Sequence, residues 1–201
     1  MPKGMTAKGE ATRARLVAGA AEVVMARGIS DVTLDDVCAR TGTSKSQLFH
    51  YFPGGKEELF VAVAQQEAER VLDGVAARMN PLTSWAAWEQ WRAQLLGEFD
   101  SRGGDCPLQV LVNQIAPASE GARAVVVELI ARWQAHLRAG IEHMQAGGEL
   151  DTGIDADRMA SAILSAVHGG VVMMMLGRTR EPLEAAMDMA LSYLRSAAAR
   201  P

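Results

Sequence analysis

Apolar residues return along this chain at the three-and-four spacing of a buried helical stripe, and glycine or proline interrupts them at intervals. From about Glu10 to Arg27, the residues Leu16, Val17, Ala20, Val23 and Val24 share one face, and Gly28 closes the segment. A second helix is predicted from Thr33, whose hydroxyl caps it while Asp36 answers three residues on. It turns Leu34, Val37 and Cys38 inward and stops at Gly42. Thr43 or Ser44 caps a very short third helix, anchored by Leu48 and Phe49 and ended by Phe52-Pro53-Gly54-Gly55. Lys56 opens a fourth, through Leu59, Val63 and Leu72 to about Met79, and Asn80-Pro81 breaks it.

Longer helices with short breaks are predicted beyond Pro81. Ser84 to about Ser101 carries Trp85, Trp88, Trp91, Leu95 and Phe99, and Pro107 to Ile115 is a short apolar piece. From about Glu120 to Ala146 a stripe of Val127, Ile130, Trp133, Leu137, Ile141 and Met144 runs up to Gly147-Gly148. Asp155 to Gly177 and Pro182 to Ala199 complete an all-α chain of about nine helices. Composition agrees: 49% of the 201 residues are hydrophobic and only 5% aromatic, which suits helices rather than strands and leaves ample material for a core.

The net charge of −4 argues against a uniformly basic nucleic-acid binder, but it is an average. Residues 1–52 hold 7 Lys+Arg against 5 Asp+Glu, whereas the remainder holds 13 against 19. The basic character is at the front, where the two short helices joined by a Gly-containing turn have the form of a helix-turn-helix. In that motif the second helix enters a major groove, so Ser44, Lys45, Ser46 and Gln47 occupy the groove-facing turn, while Leu48 and Phe49 hold the helix to its domain. His50 fits either a DNA contact or plain exposure.

The run from Thr33 to Leu59, with Thr41-Gly42-Thr43-Ser44-Lys45-Ser46-Gln47-Leu48-Phe49-His50-Tyr51-Phe52 at its centre, strongly resembles the DNA-binding segment of TetR/AcrR-family transcriptional regulators. The paired glycines before Lys56, with Gly104-Asp105-Cys106-Pro107-Leu108, look like the family's LmrA/YxaF-type branch. The resemblance implies a three-helix DNA-binding head over residues 1–55 and a ligand-binding and dimerisation bundle over 56–201. It implies a double-stranded operator met by Thr33, Thr43, Ser44, Lys45, Ser46, Gln47, His50, Tyr51 and Lys56. Family members usually carry Tyr at the position of Phe49, so backbone anchoring is expected to lean on Tyr51 and Lys56.

The resemblance further implies a small-molecule inducer, a homodimer through the last two helices and, more often than activation, repression. Tryptophan and methionine at helical spacing are often no more than core, but as a set they suit an apolar cavity with few polar groups. Trp88, Trp91, Leu95, Leu111, Trp133, Leu137, Met144 and Met173 are the expected lining, with Gln114 and His168, and also His136, available to orient a lipophilic or aromatic ligand. Gly169-Gly170, the apolar run Val171 to Leu176, and Ala185, Ala186, Met189 and Leu191 are expected at the dimer interface. A constitutive DNA-binding dimer without a ligand is the alternative.

Other classes fit less well. No metal-ligand or phosphate-loop spacing and no nucleophile motif occurs, so an enzyme, a metal site and a cofactor are not expected. Cys38 and Cys106 make no disulfide framework, which fits a reducing cytoplasm, and Cys38 reads as core. The uncharged stretch Met159 to Gly177 approaches a bilayer's length, but its serines, His168 and paired glycines favour a buried or interface helix over a membrane span.

Overall fold

In the computed structural model, residues 6–28, 31–76, 81–101 and 107–199 are described. Nine α-helices are found among them: α1 Ala7–Arg27, α2 Leu34–Thr41, α3 Lys45–Tyr51, α4 Gly55–Ala76, α5 Trp85–Ser101, α6 Pro107–Val110, α7 Glu120–Ala146, α8 Ala156–Gly177 and α9 Glu181–Ser196. No strand occurs among the described residues. An isolated bridge links Leu150 to Ala198.

Local chemistry sets the boundaries. The first helix begins a turn earlier than the apolar stripe suggests, because the Thr6 hydroxyl accepts from the Gly9 amide at 3.2 Å. Asp155 caps α8 by accepting from the amides of Asp157 and Arg158. The apolar piece after Pro107 is not one helix: α6 passes into a π-helical stretch, Leu111–Ile115, and a 3₁₀ turn, Ala116–Ala118. Met79 and the segment Gly104-Asp105-Cys106 lie outside the described residues.

The chain forms two compact units. The first contains residues 1–71 and 107–128, the second residues 72–106 and 129–201. The compact units are drawn differently from a functional division at residue 55: most of α4 and the 107–128 segment pack with the first unit. One reason is visible at Gly121, where an added Cβ would lie 2.8 Å from Val61 Cγ2, so the start of α7 is seated directly on α4.

In the first unit Leu16, Val24, Val37, Leu48, Phe52, Leu59 and Val63 are buried. Phe49, expected as an anchor of α3, is 46% exposed, and Phe52 at the helix end is fully buried in its place. An added Cβ on Gly19 would stand 2.2 Å from Thr41 Cγ2, so α1 and the end of α2 meet almost backbone to side chain.

The second unit has a continuous core drawn from α5, α7, α8 and α9, including Trp88, Leu137, Ile141, Met144, Ile163, Val167, Leu183, Met187 and Leu194. Gly170 allows α8 and α9 to close on each other: an added Cβ would lie 2.7 Å from Ala186 Cβ and 3.0 Å from Leu183 Cα. This close approach is made within the chain, whereas Gly169 faces open space. Helix α8 is long and apolar enough to cross a membrane by length and composition alone, but its inner face, from Met159 to Met174, is core.

Candidate nucleic-acid interface and sensor core

The helix-turn-helix is built by two reciprocal caps around one left-handed residue. Thr33 Oγ1 accepts from the Asp36 amide while Asp36 Oδ2 accepts from the Thr33 amide at 2.9 Å, which fixes the start of α2. Gly42, at φ 63°, ends α2 and donates to the Cys38 carbonyl, and the Thr43 amide donates to the same oxygen. Ser44 Oγ accepts from the Gln47 amide at 3.2 Å, and Gln47 Oε1 accepts from the Ser44 amide at 3.0 Å, so α3 starts on a second capping box.

These caps divide the expected DNA contacts. Thr33, Ser44 and Gln47 are exposed but already hydrogen-bonded within the head, although Gln47 keeps its amide NH₂ for an outside acceptor. Half-buried Thr43 shares a 2.7 Å hydroxyl contact with Thr41. Lys45, Ser46 and His50 are exposed along α3, Tyr51 is half-buried with its ring edge-on to His50, and Lys56 lies exposed over the Phe60 ring.

Among the described residues three ion pairs link α1, α2 and α3. Arg27 meets Asp36 at 2.9 Å, Arg40 donates to Glu22 at 2.6 Å, and Lys45 Nζ lies 3.0 Å from Asp35 Oδ1. The Thr33 hydroxyl and amide, followed by Arg27, hold the Asp36 carboxyl below its ordinary value, so it remains an anion. A groove of about 650 Å³ opens on this unit beside α1, α2 and α4, but Arg40 and Arg70 on its wall are paired with Glu22 and Glu67. Sequence reasoning missed Asp35 as the partner of Lys45. Its signal was the adjacent pair Asp35-Asp36, of which the capping box needs only the second.

In the second unit Trp88, Trp91, Leu137 and Met144 are buried, with Leu95 and Trp133 packed against the same core and half-buried His168 on α8. Met173 does not join them: it is 57% exposed, because the inner face of α8 passes through Val171 and Met174. Leu111 and Gln114 belong to the first unit.

Trp88 Nε1, Trp133 Nε1 and His136 Nε2 are buried without a hydrogen-bond partner among the described residues. Trp133, His136 and Gly140 follow one another at the spacing of a single face of α7, and an added Cβ on Gly140 would lie 3.3 Å from Trp88 Cζ2. Cζ2 is two bonds from Nε1 in the same indole, so the Trp88 edge is set against the stripe that carries Trp133 and His136. Burial lowers the pKa of both His136 and His168, which keeps the imidazoles neutral.

The sequence pattern described as bacterial regulatory proteins of the tetR family matches residues 16–63, and the tetracyclin repressor-like C-terminal domain matches residues 85–190. The chain belongs to the TetR family. As a TetR-family protein it is a DNA-binding transcriptional regulator rather than an enzyme, and regulators of this family act as dimers. It is 23% identical to the HTH-type transcriptional regulator YxaF of Bacillus subtilis over 183 residues, covering 89% of this chain and 92% of that one. It is 22% identical to LmrA of the same organism, over 86% of this chain and 90% of LmrA. A TetR transcriptional regulator from Chloroflexus aurantiacus superposes with TM-score 0.74 at 26% identity, over 96% of this chain and 98% of its own. The fold alone is shared with a TetR-family regulator from Cytophaga hutchinsonii, at TM-score 0.80 and 17% identity over 98% of this chain and 100% of that one.

Proposed function

We propose that this TetR-family regulator is a cytoplasmic repressor that binds a palindromic operator as a homodimer and leaves it when a small lipophilic or aromatic ligand enters the second unit. Lys45, Ser46 and the Gln47 amide read base edges from the start of α3, while Thr33, Thr43, Ser44, His50, Tyr51 and Lys56 meet the backbone around it. A twofold dimer presents two such helices about one helical turn apart, roughly 34 Å.

The observation that carries ligand response is the trio of unpartnered nitrogens at Trp88, Trp133 and His136. A buried polar nitrogen left unpaired costs about 1–3 kcal/mol, which a ligand offering acceptors to the two indole N–H groups and a polar partner to the imidazole would recover. Such a ligand releases DNA only as far as it binds better to the conformation whose heads are wrongly spaced.

The test begins with selection of a duplex from a random library, followed by anisotropy titrations at fixed salt. Lys45→Ala is expected to weaken the selected duplex by about tenfold per head, the worth of one base contact. A compound from a lipophilic and aromatic panel should raise the melting temperature and displace that duplex. Trp133→Phe, which keeps the ring and removes the N–H, should weaken that compound by about tenfold. A panel that shifts nothing would leave the constitutive dimer.

A further inference from the structure

The two adjacent acids at the start of α2 have different occupations. Asp36 is taken up inside the head, one oxygen accepting from the Thr33 amide and hydroxyl and the other from Arg27. Asp35 lies across from the base-facing end of α3, its Oδ1 3.0 Å from Lys45 Nζ, with the two side chains 70% and 61% exposed. An exposed pair of this kind adds little to stability, so its consequence lies in what it does to Lys45 beside DNA.

A lone ammonium is drawn to every phosphate, and phosphate contacts carry no sequence information. A phosphate approaching Lys45 meets the carboxylate of Asp35 as well, and the repulsion offsets much of the attraction. A guanine edge is different: O6 and N7 are uncharged acceptors, so the remaining ammonium protons can be donated to them without repelling Asp35. The carboxylate is itself an acceptor for a cytosine amino group. The pair is therefore nearly neutral toward the backbone and still competent toward bases.

We propose that Asp35 is a specificity-determining residue, which by pairing with Lys45 suppresses phosphate binding by that ammonium and reserves it for base edges. The inference rests on the reading of Lys45 as a base contact. It assigns discrimination against non-operator DNA to an acid at the start of the supporting helix rather than to the recognition helix alone.

The experiment compares wild-type protein, Asp35→Asn, Asp35→Glu, Lys45→Ala and the Asp35→Asn/Lys45→Ala double variant, all as full chains. Each is titrated across a salt series with a random-sequence duplex and with the duplex selected by wild-type protein. Asp35→Asn should bind the random duplex about threefold tighter per head. Its log–log salt dependence should steepen by about 0.9 per head, because one more cation now engages phosphate. Its preference for the selected duplex should fall. Asp35→Glu, which keeps the charge, should retain the wild-type slope, and the double variant should have the slope of Lys45→Ala. A wild-type slope and preference in Asp35→Asn, with Lys45→Ala still weakening the selected duplex, would overturn the inference while leaving Lys45 as a reader. No effect of Lys45→Ala would overturn both. Should Asp35→Asn melt early, Asp35→Ser serves in its place, with the same outcomes decisive.

Discussion

Replacing Met173 and Met189 together by aspartate is expected to give a folded monomer that no longer binds a two-half-site duplex at concentrations where the wild-type dimer saturates it. The outer face of α8 runs through Ala162, Ser165, Gly169, Met173 and Leu176, all exposed and spaced by three and four residues. On α9 the outward residues include Ala185, Met189 and Tyr193. Met173, Leu176, Met189 and Tyr193 are 57%, 76%, 55% and 44% exposed, large apolar groups on two helices that pack against each other. Single exposed hydrophobics need no explanation, but two uncharged stripes on neighbouring helices suit the proposed dimer interface. Two charges of α9 are drawn elsewhere: Asp188 pairs with Arg92 at 2.6 Å and Arg195 with Glu89, both partners on α5.

Isologous pairing of these stripes in a four-helix bundle would bring each aspartate against apolar surface. Desolvating a carboxylate there costs several kcal/mol, and a twofold interface repeats the cost in each protomer. Light scattering should report half the wild-type mass, with the helical circular dichroism unchanged. Operator affinity should fall by at least about a hundredfold, since a single head keeps only one half-site's contacts. Retention of a dimer with both substitutions present would reject these helices as the interface.

Gly170→Val is expected to have the larger effect on folding. The substituted Cβ would lie 2.7 Å from Ala186 Cβ, 3.0 Å from Leu183 Cα and 3.1 Å from the Pro182 carbonyl oxygen. Two of these three atoms are backbone, so no rotamer change relieves the contact and α9 must move away from α8. Overpacking of this kind costs about 1–3 kcal/mol, and separating the helices also loosens Leu183 and Met187 in the core. Thermal melts should show a clear fall in melting temperature with loss of duplex binding. Gly169→Ala is the matched comparison. Nothing lies within 4 Å of its new Cβ, so the chain alone should gain about 0.5–1 kcal/mol of helix propensity. Gly170→Val melting with the wild-type protein would contradict the close approach.

The helix-turn-helix was the most legible part of the sequence because its determinants are local. Thr33 with Asp36, Gly42 as the stop of α2, and Ser44, one of the two residues expected to cap α3, act on residues three or four positions away, and each is found in that role. Phe49 was misplaced as an anchor because Phe52 was read only as part of the helix stop, although it lies four residues after Leu48, on the same side, while Phe49 is turned outward. Packing against the rest of the head decides that Leu48 and Phe52 are buried and Phe49 is half exposed.

Periodicity and capping thus determined the helices, their order and the DNA-binding head, since these rest on interactions within a turn or two of chain. The tertiary structure decided what depends on neighbours distant in sequence. It sends Gly170 inward to α9 and Gly169 outward, turns Met173 away from the core that holds Trp88, and joins residues 107–128 to the head. It also sets Asp35 against Lys45 across the turn. A hydrophobic stripe says that a face is buried but not against what, and an acid says that charge is present but not which cation it meets.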